Sequence, residues 1–351
     1  MDLSIDLGKI RLKNPLICAS SEVTMTSAAI RAAIDAGAGA VIAKSVNESP
    51  QAARQLSTAD YVLLDDNWQV VPWDSPDRRN ASLFCRSGLA QMPLDQWLKM
   101  LAELDEYAQS KDSIVAGSIT VGQAAPAAEI ASKMQAVGLR WIELNLSAPH
   151  GREASAVTQV TAADAFRDYV MRVRQAVTVP LAVKLTAQAD DPLGLARIAV
   201  DQGADMLVLT GRVQGFMPDI ETQKPILGSW GAIGGAWALP TSLYWVSKCR
   251  RNVTRDVPII GTNGARSAED VLRFLLSGAR AVELASVVMT NGPQVFAEMI
   301  AGLQRYCEAK GVSCLEQLVG KAADQALSYG ELPVIARNRY PWEDSHSSVK
   351  E

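Results

Sequence analysis

Short, almost unbroken apolar runs recur along the chain, each closing on a small or polar residue. They are PLICAS ending at Ser20, AVIAKS at Ser45, SIVAGS at Ser118, WIELNLS at Ser147, PLAVKLT at Thr186, MLVLTG at Gly211, PIIGTNG at Gly264 and AVELAS at Ser286. Continuous rather than alternating hydrophobicity is what a parallel strand covered on both faces requires. Between most runs lie patterns of helical period, such as TSAAIRAAIDAGA after the first and SAEDVLRFLLSGA after the seventh. Both stop on a glycine ahead of the next run, the usual signal at a helix C-terminus. Eight such units predict an α/β fold, a closed (β/α)8 TIM barrel. An open doubly wound sheet would place a glycine-rich turn after its first strand. Ser20-Ser21-Glu22 is not one.

The pattern breaks in three places. Residues 3–12, LSIDLGKIRL, alternate about Gly8-Lys9 and predict an N-terminal hairpin closing the barrel bottom. The connections after strands 2 and 6, Val46 to Asp112 and Arg212 to Val257, are long enough to act as lids or binding loops. The first also carries a helical stretch near Pro93 to Ala108. Trp68, Trp73, Trp230 and Trp237 lie in these loops, with packing as their default role and a pocket wall or subunit interface as the alternative. Residues 1–336 are thus expected to form one barrel domain, and 337–351 a polar tail without periodicity.

Composition narrows the class. A chain of 351 residues, nearly half hydrophobic, suits a single barrel enzyme with a large core. A net charge of −4 argues against nucleic acid as a partner. No run approaches 18 consecutive apolar residues, so no membrane span is expected. The first residues lack the basic and apolar regions of a signal peptide. Cys18, Cys85, Cys249, Cys307 and Cys314 form no CxxC pair and no metal-ligand cluster. They read as reduced thiols of a cytoplasmic protein, with no metal site and no iron–sulfur ligands in this chain.

Barrel enzymes build their sites at the C-terminal ends of the strands. Those ends carry Ser20, Lys44, Ser45, Asn145, Lys184, Thr210, Thr262-Asn263-Gly264 and Ser286. A lysine at the end of a buried strand is costly unless its charge meets a partner. Either lysine alone reads equally well as one reaching solvent; both together point to an anionic or electron-rich ligand. Glycine-rich turns after strands 7 and 8 are the usual phosphate site of such a barrel, although GTNG also suits a simple tight turn.

KNPLICASS, VIAKS, ELNLSAPHG, PLAVKL, GAIGGAWALPTSL, IIGTNG and LLSGA followed by LAS occur in this order. Over roughly residues 3 to 320 the chain resembles the class 1 FMN-dependent dihydroorotate dehydrogenases and the related FMN domain of dihydropyrimidine dehydrogenases. The resemblance implies FMN as cofactor. It places Ala19 and Ser20 against the flavin ring and Lys44 over its redox-active edge. Lys184 is implied on the N1–C2=O side, where negative charge develops on reduction. Gly234, Gly235, Thr262, Asn263, Gly264, Ala285 and Ser286 are implied to cradle the ribityl phosphate. Ser45, Asn145 and Thr210 complete the expected cofactor set.

The substrate half departs from that family. Of four positions where the family holds its pyrimidine with asparagine, this chain keeps Asn145 and carries Cys85, His150 and Thr210 at the others. Losing buried hydrogen bonds of this kind costs about 1–3 kcal/mol each, which argues against dihydroorotate. Ala148 stands where the family carries its catalytic cysteine or serine base. His150 takes over the proton transfer, or Cys85 acts from the opposite loop, or the reaction needs no carbon acid–base step. For His150 a hydrogen-bonding role weighs equally, and an inactive chain is a further alternative. Arg86, Arg152 and Arg212 occur in the same loops. A loop arginine is usually solvated, yet their convergence suits a carboxylate or sulfonate substrate.

The expected function is hydride transfer between flavin N5 and a small, anionic or cyclic substrate other than dihydroorotate. Catalytic candidates are His150, Cys85 and Lys44; substrate-binding candidates are Cys85, Arg86, Asn145, His150 and Arg212. The alternatives are a dihydroorotate or dihydropyrimidine dehydrogenase with an altered site, a Schiff-base lyase using Lys184, and a non-catalytic flavin-binding subunit. The resemblance also implies a homodimer; the electron partner is not readable from the residues, and a fumarate-like acceptor, a separate reductase subunit and oxygen all stay open.

Overall fold

A computed structural model describes residues 2–120, 122–148, 160–335 and 342. The tail expected over 337–351 lies outside the described residues except for Trp342. All eight apolar runs are strands of one closed parallel barrel. They are β1 Leu16–Cys18, β2 Ala40–Ile42, β3 Ile114–Thr120, β4 Ile142–Asn145, β5 Leu181–Lys184, β6 Met206–Leu209, β7 Ile259–Thr262 and β8 Ala281–Leu284. Each pairs with its sequence neighbours, and β8 closes on β1 with Glu283 opposite Ile17. Helices α1 Ser27–Asp35, α2 Leu94–Gln109, α3 Ala124–Ala136, α4 Ala163–Ala176, α5 Pro192–Asp201, α6 Leu239–Asn252, α7 Ala268–Ser277 and α8 Val295–Lys310 form the outer layer. In α7 the local signals are plain. Ser267 caps its first turn by accepting from the Asp270 N–H, and Gly278 at φ +113° ends it.

The hairpin forms as expected, with Ile5 opposite Leu12. Its apolar positions Leu3, Ile5, Leu7, Ile10 and Leu12 are buried. Arg280, just ahead of β8, donates to the Asp6 carbonyl at 3.1 Å, and Lys9 pairs with Asp205, just ahead of β6, at 2.8 Å. These contacts tie the hairpin to the N-terminal ends of the strands and leave the opposite mouth for chemistry.

The two long loops form one structure there. Asp60–Leu64, Val70–Val71 and Ser82–Arg86 from the loop after β2 join Val213–Gly215 and Gly231–Gly234 from the loop after β6 in a five-stranded antiparallel sheet. Cys85 lies opposite both Tyr61 and Ala232. Side chains alternate across the sheet. One face packs Leu63, Val71, Leu83 and Cys85 with Met289, and the other packs Leu64, Phe84, Leu227 and Ile233.

Candidate active site

A cleft of about 740 Å³, counted with the solvent-open space at its mouth, lies at the C-terminal ends of the strands. Ala19, Ser20, Asn145, Lys184, Gly234, Thr262, Asn263, Gly264, Ala285 and Ser286, all expected around the cofactor, line it. Leu83 of the overlying sheet and Met289 also line it. A second cleft of about 420 Å³, counted in the same way, lies beside it, lined by Lys44, Ser45, Gln55, Ser87, Leu89 and Ala148 among others. Ser20, Asn145 and Arg212 border both spaces. A large chamber thus shares a polar wall with a smaller one.

The glycine turn after β7 is tight. Gly264 sits at φ +117°, and a Cβ there would meet the Leu239 backbone at 2.6 Å, so only glycine fits. The Asn263 side chain is occupied: its amide nitrogen donates to the Gly211 carbonyl at 3.2 Å, and its oxygen accepts from the Gly235 N–H at 3.3 Å. It staples the loops after β6 and β7 together. Gly235 itself borders a small adjoining space with Gly264 and Ser286, where Arg79 and Arg266 supply positive charge. Neither arginine was singled out from the sequence. Thr210 is buried at the end of β6 and faces Ser242 at 3.4 Å instead of the cavity.

The floor of the chamber is ionic. The Lys184 ammonium contacts the Glu283 carboxylate and lies 3.7 Å from Glu143, with all three side chains buried. Burial works against this ammonium, but Glu143 and Glu283 outweigh it and hold its pKa above that of an ordinary lysine. A lysine kept charged is a poor Schiff-base nucleophile, which disfavours the lyase alternative. Burial and the neighbouring Glu283 push the Glu143 carboxyl well above the usual range, and burial with Glu283 pushes the Cys18 thiol up to about 12. Native Glu143 therefore holds its proton more tightly than the unfolded chain, where a glutamate titrates near 4.5. The resulting stability is full below that value and falls as pH rises, by up to about 1.4 kcal/mol per pH unit. Glu143→Gln is expected to flatten the unfolding free energy against pH above 4.5; parallel curves for variant and wild type would contradict this.

A second ionic group stands on the other side. Lys44 pairs with Glu22 at 2.8 Å, and Tyr61 donates to the same Glu22 oxygen at 2.7 Å. Burial would raise the Glu22 carboxyl, but Lys44 and Arg212 outweigh it and hold it below the usual carboxylate range. Burial lowers the Lys44 ammonium despite Glu22. Arg212 donates to the Cys85 sulfur and, at 3.2 Å, to the Ser87 hydroxyl. Burial raises the Cys85 thiol, and the Arg212 charge only partly offsets it. Cys85 is therefore a neutral thiol that accepts from Arg212. Asn145 Oδ1 accepts from the Ser147 N–H and hydroxyl at 3.0 and 2.8 Å, which leaves the amide N–H groups to serve the cavity.

The structure separates the arginines. Arg86 follows Cys85 on the same strand, so it leaves by the opposite face, pairs with Asp60 at 3.8 Å and does not line either cavity. Arg212 does line both. Ala148 sits in the wall of the smaller cavity against Leu89, so the family's base position presents a methyl group. His150 and Arg152 lie outside the described residues. Glu143, Glu283 and Tyr61 carry no assignment from the sequence, and Glu22 enters there as part of the turn after β1. The signal for the first two was there: an acid in the middle of the apolar runs WIELNL and AVELAS.

A barrel with a glycine-turned chamber at its mouth, a buried cation in the floor and its own loops as a roof has the architecture of a cofactor-dependent barrel enzyme. The family model described as dihydroorotate dehydrogenase matches residues 77–306, and the chain belongs to that family of oxidoreductases, whose enzymes are flavoproteins. A relative named dihydroorotate dehydrogenase B (NAD(+)), catalytic subunit, from Pyrococcus furiosus is 31% identical, over 92% of this chain and 99% of its own length. Proteins of the same name from Thermococcus kodakarensis and Methanocaldococcus jannaschii are 30% and 29% identical, over 92% and 91% of this chain and 98% of each relative. Among the described residues no helix is long and apolar enough to cross a membrane, and no His/Cys/Asp/Glu group could hold a metal ion.

Proposed function

We propose that the chain binds FMN in the larger chamber and exchanges hydride between flavin N5 and a small anionic substrate, other than dihydroorotate, held in the smaller one. The observation that carries this reading is the pair of cavities sharing Ser20, Asn145 and Arg212, one matching the cofactor positions and the other altered. The chamber fits the cofactor on its own chemistry. Gly264 leaves room for backbone N–H groups to approach a phosphate, Arg79 and Arg266 add charge beside it, and Lys184 supplies a cation in the chamber's lining. When bound, FMN supplies the two-electron acceptor or donor that no amino-acid side chain provides.

The chain's own residues do the rest. Lys184 stabilises negative charge at its end of the chamber. Leu83 and Met289 exclude water, which strengthens every charge interaction inside. Arg212, with Ser87 and Asn145 in the same wall, holds a carboxylate or sulfonate against the shared boundary. Ala148 carries no proton and Cys85 is a neutral thiol, so the substrate that suits this wall loses hydride from a carbon bearing a heteroatom, such as a C–N carbon. His150 stands as the acid–base alternative beside that reading. A reductase subunit or small electron acceptor completes the cycle, and the cytoplasmic setting and homodimer belong to the same proposal.

The test is direct. The apo chain titrated with FMN is expected to quench flavin fluorescence at one FMN per chain, and hydride-donating amino or imino carboxylates are expected to bleach the bound flavin anaerobically. A chain that leaves FMN fluorescence unchanged would sink the cofactor assignment, and bleaching only by uncharged donors would sink the anionic substrate.

A further inference from the structure

Glu143 on β4 and Glu283 on β8 are buried in the barrel wall, Glu283 at the edge of the larger cavity, and the binding roles assigned above do not use them. Both carboxyl groups face the same Lys184 ammonium, Glu283 in contact and Glu143 at 3.7 Å. Glu143 Oε2 and Glu283 Oε1 have no hydrogen-bond partner among the described residues. A proton held on the pair removes one of these orphaned acceptors, as the pairing of buried polar atoms requires. It also balances charge, since one Lys184 ammonium faces two carboxyl groups.

A hydrogen-bonded path leads from the pair to the smaller cavity. The Ser118 hydroxyl donates to Glu143 Oε1 at 3.2 Å, Ser45 meets Ser118 at 2.8 Å, and Ser20 meets Ser45 at 2.9 Å. Ser20 and Ser45 line that cavity. Each hydroxyl both donates and accepts, so the path can pass a proton inward. Among the described residues the other charged or titratable groups around the pair are Lys184 from β5, Cys18 from β1 and, beyond Lys184, Arg212 from the loop after β6. Lys44 lies past the serines and is neutralised by Glu22.

We propose that the Glu143–Glu283 pair is the proton acceptor linked to flavin reduction, holding one shared proton beside the oxidised flavin and a second beside the reduced one. This rests on FMN occupying the larger chamber. The balance is simple. A hydride, two electrons with one proton, passes from the organic donor to the flavin and leaves one negative charge facing Lys184. The ammonium then serves that charge, the buried carboxylate loses its compensation, and one proton moves from solvent along the serines to a carboxylate oxygen. Reoxidation by the electron acceptor returns it. Glu143 and Glu283 are positioning residues for charge, not groups that touch the substrate.

The experiment is a spectroelectrochemical titration of the FMN-loaded protein across neutral to alkaline pH. Two protons per two electrons shift the reduction equilibrium a hundredfold per pH unit, about 59 mV, while one proton shifts it tenfold, about 30 mV. The wild type is expected to follow the hundredfold slope, and Glu143→Gln and Glu283→Gln the tenfold one. A tenfold slope in the wild type overturns the proposal, as does a hundredfold slope kept by both variants, which would put the proton on the flavin itself. Should the variants not fold, the wild type's infrared difference spectrum decides. Reduction is expected to add a protonated-carboxyl band that shifts in deuterium oxide, and no such band overturns the proposal. A chain that takes up no FMN overturns the functional reading and this proposal with it, whereas bound FMN with the wrong slope overturns this proposal alone.

Discussion

Lys184→Met is expected to destabilise the fold by about 3–5 kcal/mol and to leave the purified protein without flavin. The magnitude follows from what the variant leaves behind. Glu283, in contact with the ammonium, and Glu143, 3.7 Å away, are both buried. Removing their cation strands buried negative charge, and an uncompensated buried charge is far costlier than a lost contact. The sign with pH follows. Protonation relieves the stranded carboxylates, so the deficit against wild type should shrink towards acid and grow as pH rises. Urea unfolding of both proteins at several pH values measures it. A deficit independent of pH would mean that the ion cluster is not what holds this part of the barrel together.

Arg212→Ala is expected to weaken the binding of small carboxylates or sulfonates by about tenfold to a hundredfold, with Arg86→Ala leaving it unchanged. The contrast comes from strand geometry. Cys85 and Arg86 are adjacent on one strand, so their side chains leave by opposite faces. Cys85 goes in to meet Arg212, and Arg86 goes out to meet Asp60. A hydrogen bond to a charged group contributes about 1.5–3 kcal/mol, the basis of the expected factor. Perturbation of the bound flavin's absorption by a panel of small carboxylates and sulfonates reads the affinity. Equal losses in the two variants, or a loss only in Arg86→Ala, would remove Arg212 from the substrate wall.

The contrast between these arginines also marks where the sequence stops being legible. The barrel could be read because both faces of its strands are covered, which leaves unbroken apolar runs at PLICAS and AVELAS. The hairpin could be read because its alternation brackets Gly8-Lys9. The sheet over the mouth could not. Its strands come from two loops more than a hundred residues apart, and the pairing of Cys85 with Ala232 is a tertiary event without a local signature. That sheet decides which side Arg86 takes, so Arg86 and Arg212 looked alike in the sequence and stand apart in space.

The candidate site shows the same division. Strand-end residues such as Ser20, Asn145 and Lys184 sit where a barrel places its chemistry, and they line the larger cavity. Thr210 has the same position in its strand but is taken up by Ser242. Glu143 and Glu283 were hidden by their surroundings. An acid within an apolar run is conspicuous only once the partner that makes it tolerable, Lys184 from another strand, is known to be adjacent.

The central claim is that the cofactor half of the family's site is kept and the substrate half is changed. Anaerobic mixing of the FMN-loaded protein with dihydroorotate tests it most directly, with the flavin's visible absorption as the readout. Cys85, Thr210 and Ala148 in place of the family's asparagines and base predict a protein that holds its flavin and leaves it oxidised. Rapid bleaching by dihydroorotate would contradict the account.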